Sequence, residues 1–137
     1  YAIITNGGYK INPTTIVKIR NLNDKKKILN DGVSKKILPI LRKIVTTKEG
    51  TASLANVSGY EIGGKTGTSR THIEGVGYSD SRFNTSFTGF IETDEGPVVG
   101  SVLLWGASIS PGSEYVTGGS TAAPIFKTIV SYLVPGE

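Results

Sequence analysis

The sequence predicts an α+β fold: an antiparallel sheet covered by helices. Two segments, 34–48 and 121–134, carry apolar residues at helical spacing. Three others, 60–69, 84–92 and 97–105, read as strands. Thr93-Asp94-Glu95-Gly96 has the composition of a tight turn, so the last two strands form an antiparallel hairpin. Strands grouped between helices, without βαβ alternation, give the α+β order.

The elements follow in chain order. Residues 14–22 alternate enough for a strand. Asn23-Asp24 turns it, and Lys27-Ile28-Leu29 returns as a short hairpin partner. In 34–48, Ile37, Leu38, Leu41, Ile44 and Val45 form one stripe, with Ser34 as N-cap and Gly50 as the stop. Pro39 is awkward there: the helix starts near Leu38 or loses a hydrogen bond. The last helix has its stripe at Ala122, Ile125, Phe126, Ile129, Val130 and Leu133, and Pro124 fits its first turn. Residues 70–83 and 106–118 are rich in Gly and Ser and read as loops. There is no internal repeat and no low-complexity linker, so residues 1–137 read as one unit.

Residues 62–69 admit two chemistries. Gly59-Tyr60-Glu61-Ile62-Gly63-Gly64-Lys65-Thr66 fits the spacing of a phosphate-binding loop. Such a loop must sit between a buried strand and a helix N-terminus. Ser53 to Gly59 make a poor buried strand, and Gly67 to Gly77 hold no apolar stripe. Tyr60, Glu61 and Ile62 are bulky for a phosphate cradle. No apolar strand ends in a magnesium-binding Asp.

The alternative is acyl transfer by a serine enzyme, with 60–69 as a strand: Ile62 on one face, and Lys65, Thr66 and Thr68 as polar heads. Lys65-Thr66-Gly67 is one of three signatures of penicillin-binding proteins and serine β-lactamases. Lysine places a fixed positive charge beside the nucleophile's proton network. Threonine hydroxyls hold a substrate carboxylate. Glycine, without a Cβ, lets a ligand lie against the backbone.

The wider sequence resembles the C-terminal part of the transpeptidase domain of class B penicillin-binding proteins, the peptidoglycan D,D-transpeptidases of division and elongation. Tyr1-Ala2-Ile3-Ile4-Thr5-Asn6-Gly7-Gly8 is similar to the family's helix end before its first insertion, and Pro13 and Val17-Lys18-Ile19 follow. Gly50-Thr51-Ala52 precedes the Lys65-Thr66-Gly67-Thr68 strand. Asn84-Thr85-Ser86-Phe87-Thr88-Gly89-Phe90 resembles the next strand. Gly118-Gly119-Ser120-Thr121-Ala122-Ala123-Pro124-Ile125-Phe126 resembles the start of the terminal helix.

The resemblance implies a partial transpeptidase fold of the kind shared with serine β-lactamases. It implies that Lys65 and Thr68 are catalytic and that Thr66, Gly67 and Thr68 bind substrate. The hydroxyls would hold the carboxylate of a terminal D-alanine or a β-lactam, and the Thr68 N–H would complete the oxyanion hole. Partners would be the D-Ala-D-Ala stem peptide of peptidoglycan and β-lactams. The parent would be anchored in the inner membrane, on its periplasmic, extracytoplasmic face. One departure matters: no serine has Lys three positions on or Asn two positions on. Ser79-Asp80-Ser81 has the wrong third residue and lies after the Lys65 strand. The nucleophile and its base are expected upstream of Tyr1, so the chain alone is expected to be an inactive fragment. Its partner would be the missing N-terminal half of the domain, or a second copy. A non-catalytic binding or structural module and a serine β-lactamase fragment are the rival readings. Ala122-Ala123-Pro124-Ile125-Phe126 favours the transpeptidase.

Composition narrows the field. With 137 residues, 37% hydrophobic content and 18 glycines, the chain suits a β-containing globular domain. The net charge of +4 is mild. Lys25-Lys26-Lys27 reads as a solvated turn and not as nucleic-acid binding. There are no cysteines, so disulfides and thiolate metal sites are excluded. No apolar run approaches the ~20 residues of a membrane span. No cofactor and no metal are expected, since no His/Asp/Glu cluster has ligand spacing. His72, the only histidine, has no partner at a telling spacing and reads as a surface residue. Asp94 and Glu95 read as solvated, and Trp105 as a rim or core anchor.

Overall fold

Strands β1 (Ile62–Ile73), β2 (Gly77–Thr93) and β3 (Gly96–Ser108) form one antiparallel sheet in the order β1-β2-β3. Around it lie α1 (Ala2–Thr5), α2 (Val33–Thr46), a 3-10 turn at Ser53–Ala55 and α3 (Ala122–Leu133). This is a computed structural model, and it describes residues 1–11, 26–108 and 115–133.

Strand pairing assigns each side chain to a face. Thr66 pairs with Phe87 and Phe87 with Val102, while Gly63 pairs with Phe90 and Phe90 with Val99. Phe87 and Phe90 are three residues apart and so lie on opposite faces. Phe87 meets Phe126 of α3 edge to face, with ring centroids 4.7 Å apart. On the other face, the Arg42 guanidinium of α2 lies 5.9 Å from the Phe90 ring centroid. The sheet is therefore sandwiched, with α3 on one side and α2 on the other. The core gathers Ile62, Phe87, Ile91, Val102, Ala123 and Phe126, all buried.

Glycines make this close packing possible. Gly64, Gly89 and Gly100 stand in one row across the sheet. A Cβ on Gly64 would sit 2.4 Å from the Phe87 ring, and one on Gly100 would sit 3.1 Å from the Phe126 ring. The row is the floor on which the aromatic pair lies. Gly63 does the same on the α2 face, where a Cβ would meet the Phe90 ring at 2.6 Å and the Arg42 backbone nitrogen at 3.1 Å. Strand glycines usually weaken a sheet; here the area buried by three phenylalanines offsets that cost.

The structure corrects several sequence expectations. The first strand runs past Ser69 to Ile73, and the second begins at Gly77, so most of the segment expected as a 70–83 loop is hairpin. Residues 106–108 likewise belong to β3. The distal hairpin has few buried residues, so its alternation carries no apolar signal. Helix α2 starts at Val33 with Gly32 as N-cap in a left-handed conformation. Ser34 is instead inside the helix and buried, with no partner for its Oγ among the described residues. Pro39 stays within α2 and only forgoes one backbone donor. Lys27 forms an isolated antiparallel bridge with Tyr9. The strand expected at 14–22 lies outside the described residues. The turn between β2 and β3 is the tight one expected, with Thr93 paired to Gly96 and Thr93 Oγ1 donating to the Gly96 carbonyl at 2.7 Å.

Candidate active-site strand

β1 is hydrogen-bonded to β2 on one side, and among the described residues its other edge has no strand partner. That open edge carries Lys65, Thr66, Gly67 and Thr68. Lys65 and Thr68 are exposed, and Thr66 and Gly67 are half-buried. The register puts Thr66 and Thr68 on the face of Ile62 and Lys65 on the opposite one. The three polar heads therefore diverge from the strand instead of sharing a face.

Two loops far apart in sequence close on this strand. The first leaves α2 at Gly50, where a Cβ would lie 2.2 Å from the Ile44 carbonyl oxygen. It is held there by Ala52 N donating to Ile44 O at 3.2 Å, which presents Thr51. The second is the turn before α3. A Cβ on Gly118 would lie 2.2 Å from Ser86 O and 2.7 Å from Gly67 O, and one on Gly119 would lie 2.1 Å from Thr51 O. Only a glycine pair lets this turn rest on both the strand and the first loop.

The polar contacts are specific. Lys65 Nζ donates to the Thr66 carbonyl at 2.9 Å and to Thr66 Oγ1 at 3.1 Å. Thr66 Oγ1 donates to Thr51 Oγ1 at 3.2 Å. Thr68 Oγ1 accepts from the Gly118 backbone N–H at 3.0 Å. Thr121 Oγ1 donates to Thr117 O at 2.6 Å and lies 2.8 Å from Thr85 Oγ1. A hydroxyl has one proton, so Thr85 is the donor in that second pair. Among the described residues Lys65 takes part in no ion pair. It is a solvent-facing cation bonded to the Thr66 hydroxyl, an arrangement suited to a carboxylate.

The phosphate-loop spacing at 59–66 has no matching geometry. Gly63 to Thr66 lie in mid-strand and no helix follows. His72 is exposed and stacks edge to face on Tyr78 at 5.3 Å, away from the motif. Trp105 is 75% exposed and so is a rim residue. Asp94 and Glu95 are exposed in their turn. Among the described residues no group of His, Cys, Asp and Glu could hold a metal ion, and no helix is long and apolar enough to cross a membrane.

Sequence reasoning missed an ion cluster at the base of β1. Arg42 of α2 pairs with Glu61 at 2.5 Å and Glu92 at 3.4 Å while lying over Phe90. It also missed the contacts of Thr51 and Gly118. The resemblance placed both segments in order, but nothing in the sequence showed that they meet.

The comparisons with known proteins agree with this architecture. Residues 1–131 match the family model of the penicillin binding protein transpeptidase domain, and the chain belongs to that family. It is 34% identical over 112 residues to a peptidoglycan D,D-transpeptidase FtsI homolog of Chlorokybus atmophyticus, covering 82% of this chain and 16% of the relative. It is 34% identical over 127 residues to the stage V sporulation protein D of Bacillus subtilis, covering 91% of this chain and 19% of the relative. The chain thus spans about a fifth or less of these relatives' length. Among solved structures, the FtsI4 transpeptidase domain of Legionella pneumophila superposes with a TM-score of 0.68 at 26% identity, over 98% of this chain and 44% of that one. The transpeptidase domain of Burkholderia pseudomallei penicillin-binding protein 3 gives 0.71 at 24% identity, over 96% and 38%, a likeness of fold.

Proposed function

We propose that this chain supplies the carboxylate-binding strand of a peptidoglycan D,D-transpeptidase that works through a serine acyl-enzyme. The observation that supports it is the open β1 edge, on which Lys65, Thr66 and Thr68 are held by Thr51 and Gly118. In this reading Thr68 binds the terminal carboxylate of a D-Ala-D-Ala stem peptide or of a β-lactam, and Thr66 holds Lys65 beside it. Gly67 lets that ligand approach the strand. The Thr68 backbone N–H donates to the oxyanion of the tetrahedral intermediate, a contribution of ~3 kcal/mol in comparable sites. Lys65 keeps a positive charge beside the nucleophile's proton network and steers the anionic substrate.

The nucleophile and its base lie, in this reading, in a part of the protein outside these residues, because the sequence has neither Ser-x-x-Lys nor Ser-x-Asn. The intact enzyme would be acylated at that serine, release D-alanine, and pass the acyl group to an amine of a neighbouring strand. It would act on the periplasmic side of the inner membrane. Incubating the chain alone with penicillin tests this division of labour. Mass spectrometry is expected to show an unchanged mass. A stoichiometric acyl adduct on any of its serines would overturn the reading.

The remainder of the domain also has a proposed seat. The outer edge of β3 has no strand partner among the described residues. Val98, Val99, Ile129 and Leu133 line an apolar groove between it and α3, and each is more than a third exposed. We read this groove as the place where the N-terminal portion of the transpeptidase domain packs. In its absence, a second copy would cover the edge.

A further inference from the structure

We infer that Gly118 is a positioning residue for substrate binding. Its backbone N–H fixes the Thr68 hydroxyl so that the hydroxyl proton faces the open strand edge. The inference rests on the carboxylate reading of Thr68 and extends it to a turn 50 residues away.

A threonine hydroxyl has one proton and two acceptor lone pairs, and it rotates freely unless held. At Thr68 one lone pair is taken by the Gly118 N–H at 3.0 Å. The proton is then available to an incoming anion, and the hydroxyl is already oriented. Thr66 is in the opposite state, since its proton is spent on Thr51 Oγ1 and its lone pair on Lys65. The two threonines of the strand are therefore not equivalent: Thr68 is the ready donor.

The turn that supplies the N–H is tied down by hydrogen bonds. Gly118 O accepts from Ala123 N at 2.8 Å, Thr117 N donates to Ser120 Oγ at 3.1 Å, and Thr121 Oγ1 ties Thr117 O. Thr85, directly across from Thr68, anchors Thr121 to β2. Gly118 has no positive φ. Its glycine is demanded by space: a side chain would strike Ser86 O and Gly67 O and push the N–H away from Thr68.

The test uses the complete transpeptidase carrying this segment. Second-order acylation rates are measured for a carboxylate-bearing β-lactam and for its neutral methyl ester. Gly118→Ala is expected to slow the first about tenfold and leave the ester within about twofold; in a Thr68→Val background it should add nothing further. Equal losses on both compounds, or a loss that simply adds to that of Thr68→Val, would overturn the inference. If Gly118→Ala does not fold, hydrogen exchange at the Gly118 amide decides. Exchange should accelerate at least tenfold in Thr68→Val and stay at the parent rate in Thr68→Ser. Unchanged exchange in both overturns the inference. If instead Thr68→Val still prefers the acid over the ester as the parent does, the carboxylate reading fails, whatever the Gly118 amide shows.

Discussion

Thr66 Oγ1 lies 3.2 Å from Thr51 Oγ1, which ties the exposed strand to the loop leaving α2. This bond consumes the Thr66 proton and leaves Thr66 as an acceptor for Lys65. Removing the Thr51 hydroxyl should release Thr66 and loosen Lys65. In the complete enzyme, Thr51→Val is expected to slow penicillin acylation severalfold, up to about tenfold, whereas Thr51→Ser keeps the parent rate. Stopped-flow acylation with a fluorescent penicillin reads both. A parent-like rate for Thr51→Val would show that Thr51 is only a loop residue.

The glycine floor of the sheet makes a stability prediction. A methyl group at Gly64 has no room between the Phe87 ring and Thr88 O. Gly64→Ala should therefore cost about 1–3 kcal/mol through overpacking. Urea unfolding of the complete domain measures it. An unshifted midpoint would show that Phe87 can move aside.

Arg42 should contribute less. Its side chain is 30% exposed in both ion pairs, so each is worth ~0.2–1 kcal/mol, and the contact with Phe90 adds ~0.5–1 kcal/mol. Arg42→Ala is expected to lower stability by about 1–2 kcal/mol. The loss should shrink at high salt, because part of it is Coulombic. A loss that salt does not change would assign Arg42 a packing role instead.

Much of this architecture was legible in the residues, and the failures have physical causes. Ile37, Leu41 and Val45 announced α2 because one helix face is covered and the other is wet. Thr93-Asp94-Glu95-Gly96 announced its hairpin because a two-residue turn needs that chemistry. The distal hairpin of β1 and β2 was hidden, since Val76 and Tyr78 are exposed there and no face alternates. Ser34 reads as a cap from its type alone, yet Gly32, left-handed at φ 80°, takes that place. Lys65, Thr66, Gly67 and Thr68 were visible as a motif. Their attachment to Thr51 and Gly118 was not, because those contacts join residues 15 and 50 positions apart.

The β3 edge gives an assembly prediction. Exposed Val98 and Val99 line a groove with Ile129 and Leu133, and Leu103 and Trp105 are exposed on the opposite face of β3; together they form more apolar surface than an isolated strand edge tolerates. The 137-residue chain alone should self-associate or bind the rest of the domain when that is supplied as a separate polypeptide. Size-exclusion chromatography with light scattering checks this. A stable monomer at 14.5 kDa at high dilution would show that the sheet needs no further cover.

The central claim is that the Thr68 hydroxyl binds the substrate carboxylate. Thr68→Val removes the hydroxyl and keeps β-branched strand propensity, and Thr68 is exposed, so folding should hold. The decisive measurement is the second-order acylation rate of the complete enzyme by a carboxylate-bearing β-lactam, parent against Thr68→Val. The account predicts a loss of about tenfold or more, in line with a hydrogen bond to a charged group, in a variant that still folds. A parent rate in the folded variant would contradict it.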